Sequence, residues 1–266
     1  MPRTLPVIEQ RKFGETLRRD TWWIPNVIVV TILSSFLAYA TWAAFQNANY
    51  THGPYLSPFY SPELFGASPH AWFGQKPAWW PSILPFSPAL FILPVPALFR
   101  FTCYYYRGAY YKAFWADPPA CAVGEPRKSY LGENSFPLIM QNVHRYGLLL
   151  SFILLVFLWH DAYLAFWFAD DSGAQHFGIG VGTGVMLVNV LLLTGYTLGC
   201  HSMRHVLGGM SDRMSKAPAR KLAYDCSSAC NRGHMKWAWC SLFSVALTDV
   251  YIRLCASGVL SDVRIV

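Results

Sequence analysis

Long apolar runs separated by charged stretches organise this chain. The runs at about 22–45, 88–111, 137–168, 177–206 and 234–257 approach or exceed the ~20 residues that carry a helix across a bilayer. They predict an all-α integral membrane protein with a bundle of five transmembrane helices, folded as one membrane-anchor domain over residues 1–266. Pro94 and Pro96 predict a kink in the outer half of the second span. Gly178, Gly180, Gly182 and Gly184 open the fourth with small residues that permit close helix contact. Gly208 and Gly209 stop that helix.

The polar stretches give the orientation. Arg3, Arg11, Lys12, Arg18 and Arg19 precede the first span, Arg127 and Lys128 follow the second, and Arg213, Lys216, Arg220 and Lys221 follow the fourth. Under the positive-inside rule these segments are cytoplasmic, which puts the N-terminus inside and the C-terminus outside. Between spans one and two, residues 46–86 carry Lys76 as their only Lys or Arg. Pro54, Pro58, Pro62, Trp79, Trp80, Pro81 and Pro85 make this stretch an ordered external cap. Asp170 and Asp171 mark a short external turn. The N-terminus is polar through Asp20 and the first run is too long for a signal-peptide core, so no cleavable signal is expected.

Composition agrees with this reading: 54% of residues are hydrophobic and 13% charged. The net charge of +7 follows from topology, so nucleic acid is not an expected partner. Seven cysteines without secreted-domain spacing read as thiols or metal ligands, not as a disulfide framework.

The densest chemistry is Cys200-His201-Ser202-Met203-Arg204-His205, at the inner end of the fourth span. On a helix His201 and His205 share one face, and Cys200 and Arg204 another. The topology brings four regions to the same depth: Cys103 and Arg107, His144 and Arg145, Cys200 to His205, and His234. Two kinds of cofactor suit them. His144 paired with His201 or His205 would be axial ligands of a b-type haem, whereas two thiolates and two imidazoles would hold a Rieske-type [2Fe–2S] cluster. Cys103, Cys121 and Cys200 are surplus to haem and favour the cluster. Tyr104 and Arg107 carry groups that could hydrogen-bond a quinone carbonyl. Cys226, Cys230 and His234 have the spacing C-x3-C-x3-H, which fits no common zinc pattern. Asp161, Asp249 and Arg253 would form the pathway of an ion-coupled transporter, but no inverted repeat supports one.

Several segments resemble a known family. Thr102-Cys103-Tyr104-Tyr105-Tyr106-Arg107, Pro118-Pro119-Ala120-Cys121-Ala122-Val123, Gln141-Asn142-Val143-His144-Arg145-Tyr146, Cys200-His201-Ser202 and Ala246-Leu247-Thr248-Asp249 are similar to the single-chain membrane anchor of actinobacterial-type succinate dehydrogenases. The resemblance covers nearly the whole chain. It implies a multi-pass subunit of the bacterial cytoplasmic membrane, surrounded by lipid, with a flavoprotein subunit and an iron–sulfur subunit docked on its cytoplasmic face. Electrons from succinate would pass through a Rieske-type [2Fe–2S] centre to menaquinone or ubiquinone. The expected ligands are two of Cys103, Cys121 and Cys200 with two of His144, His201, His205 and His234. Tyr104, Arg107 and Arg204 are the expected quinone contacts. A haem-bearing anchor of the same complex, or of a nitrate-reductase-like enzyme, is the alternative.

Overall fold

The structure is a computed structural model that describes residues 12–83, 85–127, 135–136, 138–170 and 172–266. Its first helix, α1, runs Ile24–Gln46, with Pro25 in its first turn, where a missing N–H costs nothing, and Asn47 in the left-handed conformation closing it. A two-residue hairpin follows, β1 (Thr51–His52) with β2 (Tyr55–Leu56). Then come α2 (Ala89–Ile92), α3 (Pro94–Phe101) and α4 (Tyr104–Tyr110), the last continued by a π-helical turn at Tyr111–Trp115. A 3₁₀ turn leads into α5 (His144–Leu164), and β3 (Trp167–Ala169) pairs with β4 (Gln175–Phe177). The chain finishes with α6 (Val181–Leu198), α7 (His201–Gly208), α8 (Pro218–Arg232) and α9 (His234–Ala256).

Among the described residues, four helices are long and apolar enough to cross a membrane: α1, α5, α6 and α9. A fifth crossing exists if α2–α3 and α4 with its π turn count as one span, bent by 63°. Helices α1 and α9 lie where the apolar runs predict the first and last spans.

The others differ instructively. The sharp bend of the second span falls at Thr102–Cys103, not at Pro94 and Pro96. Pro94 starts α3, where proline is well tolerated. The third helix stops at Leu164, and the apolar residues beyond it turn back as the β3–β4 hairpin. The fourth stops at Leu198, so Cys200 and the two histidines after it are not on the spanning helix. Residues 218–232, read as part of a basic loop, form a 15-residue helix, α8.

Helix α8 explains the interruption at Gly199. The last carbonyls of a helix lack intrahelical partners. Ser227 Oγ donates to the Leu198 carbonyl at 2.7 Å, and Asn231 Nδ2 donates to the Gly199 carbonyl at 2.7 Å. A side chain at Gly199 has no room, since its Cβ would lie 2.9 Å from Cβ of Cys230. Asn231→Ala is therefore expected to leave a buried carbonyl unpaired and to cost about 1–3 kcal/mol. Thermal inactivation of the purified complex should register the loss.

At the opposite end, of the residues 46–86 expected to form a cap, residues 50–62 pack onto the helices while most of 71–86 stay exposed or half-buried. Tyr55, Leu56, Phe59 and Tyr60 are buried. Carboxylates pin it to the helices: Ser57 donates to Asp249, Ser61 to Asp161, and Tyr55 to Asp262 at 2.7 Å. A Cβ at Gly182 would stand 2.4 Å from the Tyr55 ring, which shows what the small residues of α6 accommodate.

Candidate functional site

The two helix interruptions and two helix starts meet at one end of the bundle. Cys103 sits in the break between α3 and α4, and Cys200 in the break between α6 and α7. His144 is the first residue of α5 and His234 the first of α9. All four are buried, none more than 6% exposed, and all line a cavity of about 220 Å³. Thr102, Tyr104, Tyr105, Gln141, Asn142 and His201 line it too.

Each thiol lies against an imidazole from another helix. His144 Nε2 is 2.9 Å from Cys200 Sγ, and His234 Nε2 is 3.6 Å from Cys103 Sγ. The tautomer of His144 follows from its other nitrogen. Thr102 Oγ1 has one proton and donates it to the Leu98 carbonyl at 2.7 Å. At 3.0 Å from that oxygen, His144 Nδ1 must therefore be the donor. Nε2 is left with a lone pair facing Cys200, the arrangement in which an outer partner fixes a ligating imidazole.

Aromatic rings hold both imidazoles. Phe99 stacks on His144 with centroids 4.5 Å apart and planes 4° apart, and Tyr196 stacks on His234 at 5.0 Å and 21°. Two buried polar atoms beside them have no hydrogen-bond partner among the described residues: His234 Nδ1 and the Tyr196 hydroxyl. The latter faces the Cys103 thiol.

Five of the seven expected ligands line the cavity, four of them buried, and His205 and Cys121 lie outside it. His201 reaches the cavity rim, where its Nε2 lies 2.9 Å from His205 Nε2. Partial burial, then His205 and Arg204, hold His201 below the usual imidazole range. His205 is exposed and does not line the cavity. Cys121 is exposed in a turn whose carbonyl accepts from Arg18 at 2.9 Å, and it also lies outside the lining. Of the expected quinone contacts, Tyr104 lines the cavity, while Arg204 turns to Asn231 Oδ1 and the Tyr224 hydroxyl, each at 3.2 Å. The side chain of Arg107 lies outside the described residues. Thr102, Phe99, Tyr196 and Asn231 escape sequence reasoning. Only Thr102 carries a sequence signal, its place beside Cys103.

Among the described residues, no three His, Cys, Asp or Glu side chains are grouped tightly enough for one shared metal ion. A two-iron cluster asks for something different, two protein ligands on each iron. Two thiols and two imidazoles facing one buried cavity are that donor set.

Residues 24–258 match the family described as actinobacterial succinate dehydrogenase subunit SdhC. This chain belongs to that family. Among solved structures it is similar to a chain of the Mycobacterium smegmatis Sdh1 complex in the apo form, at 41% identity and a TM-score of 0.84, covering 100% of this chain and 98% of that one. Comparison with curated proteins gives no match. As an SdhC-family member, the chain is the membrane-anchor subunit of a succinate dehydrogenase, and the site lies at the helix ends of that anchor.

Proposed function

We propose that this anchor takes electrons from the iron–sulfur subunit of its complex and delivers them to a membrane quinone, with Cys103, Cys200, His144 and His234 holding a Rieske-type [2Fe–2S] centre. The observation that carries the reading is the convergence of two thiols and two imidazoles from four separate helix ends in one buried cavity. Such a centre supplies one-electron transfer. The chain's residues do the rest. Thr102 holds His144 with its Nε2 free, and Phe99 and Tyr196 lock both rings. Their own burial, at 1% exposure each, keeps water from the Cys103 and Cys200 thiols. The haem alternative needs His144 paired with His201 or His205, whereas His144 Nε2 faces the Cys200 thiol and His201 Nε2 faces His205 Nε2.

The site end also carries the basic segments. Helix α8 bonds directly to the α6 break, and residues 12–20 are tied to residues 121–124, as in Gly14 N donating to the Gly124 carbonyl at 3.0 Å. Positive charge at this end makes it cytoplasmic in a bacterial membrane. That is the face on which the flavoprotein and iron–sulfur subunits dock, close to the centre. Asp249 and Arg253, candidates for a transport pathway, pair with each other and pin the opposite cap instead.

The test is optical and low-temperature EPR spectroscopy of the dithionite-reduced complex. A low-average-g signal of a histidine-ligated [2Fe–2S] centre, without b-type haem bands, is expected. Sharp haem bands in its place would sink the assignment. Tyr196 offers a finer check, because a thiolate at Cys103 gives its unpartnered hydroxyl a charged acceptor. Tyr196→Phe keeps the ring on His234 but removes a donor that favours the more negative, reduced state. The midpoint potential should fall, and a tenfold change in the reduction equilibrium corresponds to about 59 mV.

A further inference from the structure

The four-donor set leaves two histidines of the densest segment unused. His205 lies outside the cavity, and His201 reaches only its rim. Both are exposed. Helix α7 opens at His201, so the two rings fall one turn apart on one face of it. Their Nε2 atoms stand 2.9 Å apart, with ring centroids at 4.5 Å and planes at 85°.

Helix α8 fixes the backbone under this pair. Arg220 donates to the Leu207 carbonyl at 2.6 Å and to the Gly209 carbonyl, which ties down the far end of α7. Arg204, between the two histidines in sequence, bonds to Asn231 and Tyr224 of α8 and to neither imidazole. Two nitrogens on one metal ion, each at about 2.0–2.1 Å, stand about 2.9–3.4 Å apart for bond angles between a right angle and the tetrahedral one. The observed 2.9 Å lies within that range. Two imidazoles four residues apart on a helix are also the pairing by which helical zinc sites grip their ion. Imidazole suits Zn²⁺, Ni²⁺ and Cu²⁺, whereas Mg²⁺ and Ca²⁺ ask for oxygen.

We propose that His201 and His205 form a two-imidazole site for a divalent transition-metal ion of the Zn²⁺ class, at the cytoplasmic mouth of the four-donor cavity. The site is separate from the four donors and does not depend on what they hold. Among the described residues no third His, Cys, Asp or Glu joins the pair closely enough to share the ion, so water completes its shell. Without metal, one ring donates its Nε2 proton to the other. Loading moves that proton through water to Nδ1 of the same ring, both imidazoles stay neutral, and both Nε2 lone pairs turn to the ion. The chelate closes the first turn of α7, directly after Cys200, and an ion bound only by the folded turn stabilises it.

The test titrates Cu²⁺, the tightest-binding probe of such a site, into the intact three-subunit complex in its oxidised state and follows the copper by EPR. Wild type should bind one more copper ion than His205→Gln, with the hyperfine pattern of two imidazole nitrogens. Zn²⁺ should displace that ion and Mg²⁺ should not. His205→Gln should weaken binding at this site at least about tenfold, since it breaks the chelate. His205 is exposed, so the variant is expected to fold, and co-purification of all three subunits checks it. A second variant, His205→Gln with Val206→His, keeps the number of histidines but turns the second imidazole about 100° round the helix. Val206 is 65% exposed, and this variant should not recover the site. Equal copper binding by wild type and His205→Gln overturns the proposal, as does full recovery in the Val206→His variant. A wild-type complex without the two-nitrogen signal overturns it too, because the rings then only bond to each other or lie under the iron–sulfur subunit.

Discussion

Cys200→Ser and Cys103→Ser are each expected to abolish the low-average-g EPR signal of the reduced complex and to lower succinate:quinone activity at least about 100-fold. Succinate oxidation measured with a soluble dye should hold, because that chemistry belongs to the flavoprotein. The prediction follows from burial as well as donor type. Cys103 and Cys200 are each 1% exposed, and each lies against an imidazole of another helix. Serine is close in size, so the helix breaks should survive the change and the loss should be one of ligation. Cys121→Ser is the control. That thiol is exposed and outside the cavity, and its substitution should alter neither signal nor rate. A Cys200→Ser complex with full signal and full quinone activity would show that the four donors are packing only.

The contrast between Cys121 and Cys200 shows what the sequence could reveal. Apolar length exposes the spans, because twenty apolar residues have few other uses, and the basic stretches group the inner ends. That is enough to place Cys103, His144, Cys200 and His234 at one depth. It cannot separate them from His201 and His205, which share that depth, or from Cys121 in the cytoplasmic loop. The separation comes from two helix breaks that local propensity does not announce. Gly199 ends α6 because Ser227 and Asn231, some thirty residues on, take up its carbonyls and Cys230 fills the space a side chain would need. At Thr102 the hydroxyl turns to the Leu98 carbonyl and gives its oxygen to His144. The prolines at 94 and 96 gave the louder signal for a bend, yet Pro94 is absorbed as a helix start. Helix α8 was hidden by its charge. Its polar face reads as loop until α6 supplies the carbonyls that its inward side chains cap.

The same logic of long-range pairing governs the other end of the molecule, where the largest stability effect is expected. Asp249 is wholly buried and accepts from Arg253 Nε at 2.7 Å, from Tyr39 and from Ser57 of the cap. Arg253 is itself buried, donating to the Ala48 carbonyl at 2.8 Å and lying over Trp42 and Tyr60. Asp249→Ala strands this cation and two hydroxyls at once, so it should cost about 3–5 kcal/mol. Removing the cation as well, in Asp249→Ala with Arg253→Met, should recover part of the loss, since an apolar pair leaves no unpaired charge. Asp249 lies fifteen positions beyond His234 in α9, about 22 Å along the helix. The EPR signal of folded Asp249→Ala complex should therefore match wild type while its inactivation temperature falls. Equal heat stability of variant and wild type would mean that the carbonyls of Ala43 and Ala48 and the aromatic faces alone suffice for Arg253. The cap would then be held by its own packed aromatics, Tyr50 stacked on Tyr60 at 4.1 Å foremost, and not by charge.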